Sequence, residues 1–238
     1  MKYFKFAQIS QETGVSWAIA QPVSGPSWPS IPGLDLNNSI QLVHAPIYYL
    51  ARVGSTAVAD PDNHIFELTL AEYAEELKTH VMHKLNEERD SVYRQEKEFR
   101  DSLFSKYHDT ASIAGIYKYE QAKAVIADPT AAAVDVRAEA TARGVTVAAM
   151  ANRIIANHES FRVQEAKIAG IRGKVMDRLS GYAFDMSDPD ASYADFMSTE
   201  VVGTETRQEF ENGQMVDKEV DVVVGKYSLS LGTRFRYG

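Results

Sequence analysis

Two long stretches without proline that carry a helical repeat constrain this chain more than any other feature. In residues 70–104, and again in residues 147–179, apolar side chains recur in steps of three, four or seven. Such steps place an apolar stripe along one face of a helix, and the seven-residue steps are typical of a coiled-coil seam. A helix of about 35 residues is roughly 50 Å long, about three times the average. Because the two stretches are nearly equal in length, they predict an antiparallel helical hairpin with long arms.

Capping residues mark where the predicted arms begin. Thr69 and Glu72 fit a capping box, in which the hydroxyl and the carboxylate each bind a backbone N–H that the helix leaves without a partner. Gly144 suits the left-handed position that ends a helix, and Thr146 suits the cap of the next one. We therefore expect a helical hairpin domain over residues 68–182.

The stretch between the arms predicts a short helical tip. Two shorter helical pieces, at about 112–127 and 130–143, are separated by a break in which Pro129 suits the first turn of a helix. On the returning arm, Gly170 and Gly173 are three residues apart. Each costs ~1 kcal/mol relative to alanine in a helix, so we expect another backbone to pack closely against them.

Residues 1–67 have no helical repeat and are rich in proline, glycine, serine and aromatic residues. Alternating apolar residues near the start of the chain predict short strands, and residues 40–53 are apolar enough for one or two more, interrupted at Pro46. Four prolines fall between residues 22 and 32. Because proline fixes φ and lacks an N–H, this segment is expected to be an extended arm or an ordered loop. We therefore predict a β-rich, proline-containing N-terminal arm or domain over residues 1–67.

Residues 183–238 return to a β pattern after a polar turn region around Pro189. The pair Asn212-Gly213 is the strongest hairpin signal in the chain, because a type I′ turn needs positive φ at both central residues. Neither face of this hairpin has the pattern of a core face, so the hairpin needs another surface to lie on. Apolar residues alternate from Tyr227 to Tyr237, which predicts a terminal strand that is tied down.

These patterns together predict an α+β fold, with β-rich segments on both sides of the helical hairpin. Two arrangements of the chain ends are open at this point. Either the ends dock on other chains, or they fold back together into one small β-domain beside the hairpin. In the first arrangement, aromatic anchors and an extended strand would contact the partner. The candidate interaction residues are then Trp17, Trp28 and Ile31 in the N-terminal arm, and Tyr227, Leu229, Leu231, Phe235 and Tyr237 in the terminal strand.

Composition and missing motifs exclude several classes of function. The chain has no cysteine, which rules out disulfide bonds, thiol catalysis and cysteine-ligated metals. Its net charge of −8 argues against nucleic acid as the main partner, because phosphate recognition needs an excess of Lys and Arg. No stretch approaches the ~18 uncharged apolar residues of a membrane span. Since no phosphate-binding loop, nucleophile elbow or EF-hand pattern occurs, we expect no enzymatic activity, no cofactor and no metal.

The best candidate for a catalytic or metal-binding cluster is formed by Glu76, His80, His83 and Glu87. Spacings of four, three and four would place these residues on neighbouring turns of a helix, within reach of one metal ion in principle. The same helix is expected to bury its leucine and valine seam. We therefore favour the interpretation that the cluster lies on the flank or on the solvated outer face of that helix.

One segment carries a resemblance to a known class of protein. A short predicted helix ends in Arg-Gly-Val-Thr at residues 143–146, and the long helix that follows carries Ala-Asn-Arg-Ile-Ile at 151–155 and Ile-Ala-Gly-Ile-Arg-Gly at 168–173. This helix–turn–helix pattern, within residues 136–179, resembles a segment that is common in tail proteins of tailed bacteriophages. It covers about a fifth of the chain and contains no catalytic residues.

The resemblance implies a structural virion protein of a phage tail or baseplate, assembled in the host cytoplasm. Such a protein would act through contacts with other tail or baseplate proteins, and as a homo-oligomer in a symmetric ring or trimer. The alternative is a tail-fibre assembly chaperone or factor, which would bind a fibre transiently and be absent from the particle.

Overall fold

The computed structural model describes residues 1–7, 33–34, 38–45, 48–53, 56–211 and 214–237. Its fold is α+β, as the sequence predicts, with two helices of 37 and 35 residues and antiparallel β segments toward both ends of the chain. The strands are β1 Lys2–Ala7, β2 Ile40–Gln41, β3 Tyr48–Val53, β4 Ile65–Leu68, β5 Thr199–Glu211 and β6 Gln214–Gly225. The helices are α1 Leu70–Lys106, α2 His108–Ala111, α3 Ile113–Ala127, α4 Val134–Arg143, α5 Val147–Gly181, α6 Pro189–Phe196 and α7 Leu231–Tyr237.

The chain forms two compact units. The first unit comprises Met1–Arg89 together with Gly181–Thr199, and the second comprises Asp90–Ser180 together with Glu200–Gly238. Helices α1 and α5 therefore each contribute residues to both units. The three-domain division proposed from the sequence stays a prediction.

The first unit is built on a four-stranded antiparallel sheet with the strand order β2-β3-β1-β4. Alternation along β1 sends Phe4 and Phe6 to one face of the sheet, where they are fully buried with Ile65. On the opposite face, Leu50 packs against Leu77 of α1 in a second apolar cluster. The sheet is therefore covered on both faces, which explains why its short strands are stable.

In the second unit, α1 and α5 pack against each other and run in opposite directions. Phe104 packs against Phe161, with ring centroids 5.6 Å apart. One helical turn earlier in α1, Arg100 forms an ion pair with Glu165, and Glu96 lies 3.0 Å from the Arg172 guanidinium. As the residue number falls along α1, it rises along α5, so this helix pair is antiparallel.

The predicted caps are confirmed. The backbone N–H of Thr69 donates to Glu72 Oε2 at 2.8 Å, and the N–H of Glu72 donates to Thr69 Oγ1 at 3.2 Å. Thr146 Oγ1 accepts from the N–H of Ala149 at 3.1 Å, and Gly144 takes the left-handed conformation with φ of 64°. Local capping chemistry therefore located the starts of both long helices.

Two segments that the sequence places in turns or strands are helical. The polar region around Pro189 forms α6, because Asp188 caps it by accepting from the N–H of Ala191 at 3.1 Å and Pro189 occupies the first turn. The predicted terminal strand ends in α7. Leu231 and Phe235 are four residues apart, which is an even spacing along a strand and also about one turn of a helix. The alternation is therefore compatible with either structure.

The expectation of close packing at Gly170 and Gly173 is wrong for the described part of the chain. A Cβ atom added to either glycine would meet no described neighbour within 4 Å. Gly170 is exposed and Gly173 is half-buried. The structure gives no packing reason for glycine at these two places.

Candidate interaction surfaces

The predicted interaction residues divide into three groups. Trp17, Trp28 and Ile31 lie outside the described residues. Leu231, Phe235 and Tyr237 lie on α7, and their side chains are likewise outside the description. Tyr227 and Leu229 are buried within the chain, which leaves little of either side chain for a partner. The assignment of these eight residues to an interface stays a prediction, but the terminal strand that motivated it is corrected to a turn and a helix.

A buried arginine fixes the turn before α7. The Arg234 side chain is 4% exposed, and its guanidinium donates to the carbonyl oxygens of Ser228 and Gly225 at 2.9 and 3.0 Å. Arg234 also forms an ion pair with Glu200, which Arg178 contacts at 2.5 Å. The Arg178 and Arg234 guanidiniums lower the pKa of Glu200 to about 2. Sequence reasoning missed this cluster, because its members are far apart along the chain.

Strands β5 and β6 form a two-stranded sheet of their own, as the Asn212-Gly213 signal predicts, although that pair itself lies outside the described residues. Within this sheet, every residue of 206–209 and of 214–219 is exposed. Only the part of β6 nearest its end alternates, with Val222 and Val224 each 8% exposed. The half of the hairpin nearest the turn therefore has no covered face among the described residues. We refer to residues 204–221 as the outer hairpin.

The outer hairpin is strongly acidic. It contains six acidic and two basic residues, a net charge of −4 within 18 residues. The Lys218 ammonium is 3.1 Å from Glu209 across the two strands, and Arg207 is 2.5 Å from Glu205. Both basic residues are thus already matched with carboxylates. The remaining acidic residues give this surface its excess negative charge.

One face of β6 carries three of these carboxylates in a row. Asp217, Glu219 and Asp221 are two residues apart, so they point to the same side of the strand at a spacing of roughly 7 Å. All three are exposed, and the described residues supply no ion pair to them. The apolar side chains of Met215 and Val223, 59% and 51% exposed, lie at the two ends of the row on the same side. We call the side formed by residues 215, 217, 219, 221 and 223 the acidic face.

A cavity of about 460 Å³ lies in the second unit, where the end of α1 meets α2, α3, α4 and α5. Its volume is within the range of ligand-binding clefts. We call it the tip cavity. Its lining combines Lys106, Lys118, Arg143 and Arg153 with Asp109 and Glu139, and the remaining lining residues include Tyr107, Met150, Ile154, Asn157 and His158.

The tip cavity is positively charged although the chain as a whole is acidic. Its four basic and two acidic side chains give a net charge of +2 with neutral histidines. Glu139 lies 2.9 Å from Lys118 and 2.8 Å from Arg143, and these cations lower the pKa of its carboxyl group. One carboxylate is thus shared by two cations. Arg153 is exposed and forms no ion pair with a described residue.

His158 adds an unsatisfied polar atom to the cavity wall. Its ring stacks on Tyr119, with centroids 3.8 Å apart. Burial and the nearby Arg162 guanidinium lower its pKa, which favours the neutral ring. Its Nδ1 atom is buried and has no hydrogen-bond partner among the described residues. Buried polar atoms are normally paired, so this atom is an exception among the described residues.

The Glu76, His80, His83 and Glu87 cluster does not converge on one point. Glu76 contacts Lys5 at 2.5 Å and His44 at 3.0 Å, whereas His83 and Glu87 lie at the surface 3.8 Å apart. His80 is 5% exposed, so the expectation of a solvated position is wrong for this residue. Its Nδ1 accepts from the backbone N–H of Val43 at 3.2 Å, and burial lowers its pKa to about 4. The helix repeat located the flank, but not the bend at Val43 and the helix α6 that lie against His80.

Within the described residues, no group of three or more histidine, aspartate or glutamate side chains is arranged to hold a metal ion. No helix in that part of the chain is long and apolar enough to cross a membrane. Comparisons with models of protein families, with curated proteins and with solved structures find no match to this chain. The function must therefore be argued from the surfaces described above.

Proposed function

We propose that this chain is a structural virion protein of a bacteriophage tail or baseplate, and that it acts through protein–protein contacts during assembly. The observation that carries the proposal is the outer hairpin, whose described residues nearest the turn are exposed on both faces. A two-stranded hairpin is at best marginally stable in water, and long unpaired strand edges invite pairing with other chains. A protein that keeps such an element gains stability when a partner covers it.

The helical part of the chain supports the same proposal. Residues 136–179, which carry the resemblance to phage tail proteins, form α4, the turn at Gly144 and most of α5. Their buried residues hold α4 and α5 to α3. A rigid helical body that presents a long hairpin is suited to repeated contacts in a symmetric assembly.

The test begins with purified particles of the phage whose genome encodes the chain. Quantitative mass spectrometry should find the protein at a fixed copy number per particle. Its absence from mature particles, combined with binding to fibres in infected cells, would instead favour the assembly factor. If the protein is found neither in mature particles nor on fibres, both the structural function and the assembly-factor function are contradicted.

A shortened chain tests the role of the outer hairpin directly. Replacing residues 206–219 by Asn-Gly would remove the half that is exposed on both faces and leave Val222 and Val224 in place. We expect the shortened protein to keep its helix content by circular dichroism but not to enter particles in a complementation experiment. Normal incorporation of the shortened chain would show that the hairpin is not an assembly contact.

A further inference from the structure

We propose that the acidic face of the outer hairpin docks on the tip cavity of a second copy of this chain. The proposal rests on the assembly role argued above and names the partner of the hairpin. Both surfaces belong to the second compact unit, and both are exposed there. The contact would be heterologous, because the two copies would contribute different surfaces.

Charge selects this pairing over the simplest alternative. A two-fold contact between two acidic faces would place Asp217, Glu219 and Asp221 against the same carboxylates of the other copy. Like charges at an interface are repulsive and cost several kcal/mol. Among the described surfaces, the tip cavity is locally basic, with a net charge of +2 against −4 for the outer hairpin. Complementary charge therefore pairs hairpin with cavity.

The side chains of the tip cavity complement those of the acidic face in chemical type as well as in the sign of their charge. Arg153 is exposed without an ion pair to a described residue, and its planar guanidinium can bind one carboxylate with two hydrogen bonds. Asn157 lies one helical turn further along α5, on the same side as Arg153, and supplies further donors to the same wall. Ile154 offers an apolar contact for Met215, which flanks the carboxylates. The acidic face presents its three carboxylates and Met215 along one side of a strand.

A heterologous contact has a consequence for the assembly. Each copy would use its hairpin on one neighbour and its cavity on the other, so the contact propagates from copy to copy. It closes into a ring if the rotation between neighbours divides a full turn, and it gives an open helical filament otherwise. A two-fold dimer contact would stop at two copies.

Sedimentation velocity of the full chain at low ionic strength tests the pairing. We expect the wild-type protein to self-associate, and to dissociate in about 1 M salt, where the screening length is about 3 Å. Arg153→Glu and Glu219→Arg should each weaken self-association by about tenfold or more, because each places like charges in contact. Arg162→Glu makes the same charge change on α5 outside the cavity lining and should leave association at the wild-type strength.

Mixing the Arg153→Glu and Glu219→Arg variants gives the decisive measurement. The carboxylate introduced in the cavity of one variant would then face the guanidinium introduced on the hairpin of the other. The mixture should therefore form a complex that neither variant forms alone, and the double variant should recover wild-type association. A monomeric wild-type protein, unaffected single variants, or a mixture that stays monomeric would each overturn the proposal.

Milder variants keep the test valid if a charge reversal disturbs folding. If circular dichroism shows that a reversal misfolds, Arg153→Gln and Glu219→Gln should weaken association in the same direction. Wild-type association of both glutamine variants would overturn the proposal. A monomeric chain that still enters particles would overturn the self-docking and leave the tail function standing.

Discussion

The two β-sheets of this protein differ in the length of their strands and in how far their faces are buried. Strands β1 to β4 are no longer than six residues, yet the sheet is covered on both faces, and Phe4 and Leu50 are almost fully buried. Strands β5 and β6 are twice as long, at 13 and 12 residues, but have no covered face among the described residues of their outer half. Burial rather than strand length decides which sheet stabilises its unit. The longer element is the one that we propose contacts a partner.

The largest expected effect tests the buried side of this comparison. Leu77→Asp would place a carboxylate against the four-stranded sheet, where Leu77 is fully buried beside Leu50. We expect a loss of about 4 kcal/mol or more in the free energy of unfolding, because a buried charge without a partner is strongly destabilising. Urea unfolding followed by circular dichroism measures it.

Met215→Asp is the matched change on the outer hairpin. Met215 is exposed, so the same new carboxylate should change the free energy of unfolding by no more than about 0.5 kcal/mol. Similar losses for the two variants would contradict the proposed difference between the sheets.

A second prediction concerns acid sensitivity in the first unit. Burial lowers the pKa of His80 to about 4 from its usual 6.5. The folded state therefore disfavours the charged ring, and the stability linked to this residue is complete above pH 6.5. It falls as the pH drops toward and through 4, by up to about 3 kcal/mol. Lys84, His44 and His83 oppose its protonation, whereas Glu87 favours it.

His80→Asn isolates that contribution. An asparagine oxygen can replace Nδ1 as the acceptor for the N–H of Val43, but the side chain does not titrate in this range. The variant should lose less stability than the wild type between pH 6.5 and pH 4, as measured by urea unfolding across that interval. His83→Asn removes only one of the lesser charges that oppose protonation of His80, so its curve should lie much closer to the wild-type curve than that of His80→Asn does. Parallel curves for all three proteins would show that His80 is not held neutral by the fold.

These residues show what could be predicted from the sequence. The seam of α1, its cap at Thr69 and the start of α5 followed from local chemistry and from the helical period, and Leu77 is buried as that period requires. His80 lies on the same helix but was misplaced. Its burial depends on Val43 and Tyr193, which reach it from distant parts of the chain. Neither contact leaves a periodic signal.

The interaction surfaces were harder to predict for a related reason. Alternating apolar residues predict a terminal strand, but a buried Arg234 bound to Glu200 holds this segment in a turn and helix. The tip cavity draws its charges from several helices, and no sequence motif joins Lys106, Glu139 and Arg153. The hairpin was predicted because Asn212-Gly213 is a local signal. Its lack of a core face was visible in the sequence as well.

A smaller effect tests the junction between β4 of the short sheet and the start of α1. Thr69→Ala would remove the hydroxyl that accepts from the N–H of Glu72. We expect a loss of about 1 kcal/mol in the free energy of unfolding, the usual cost of losing a helix cap. Thr69→Ser keeps the hydroxyl and should retain most of the wild-type stability. Equal losses in both variants, measured by urea unfolding, would mean that the methyl group, and not the cap, carries the effect.

The last comparison concerns two halves of one strand. Val216 and Val224 lie eight residues apart on the same side of β6, but Val224 is 8% exposed and Val216 is 42% exposed. Val224→Ala should lower the free energy of unfolding by about 1.5 kcal/mol, because two buried methyl groups are lost. Val216→Ala should change it by no more than about 0.5 kcal/mol, since Val216 lies at the surface of the single chain. Urea unfolding measures both changes in the free energy of unfolding. It is done at high salt, where we expect the protein to be a monomer. Equal losses of folding stability in the two variants would show that the outer half is already packed in the isolated protein.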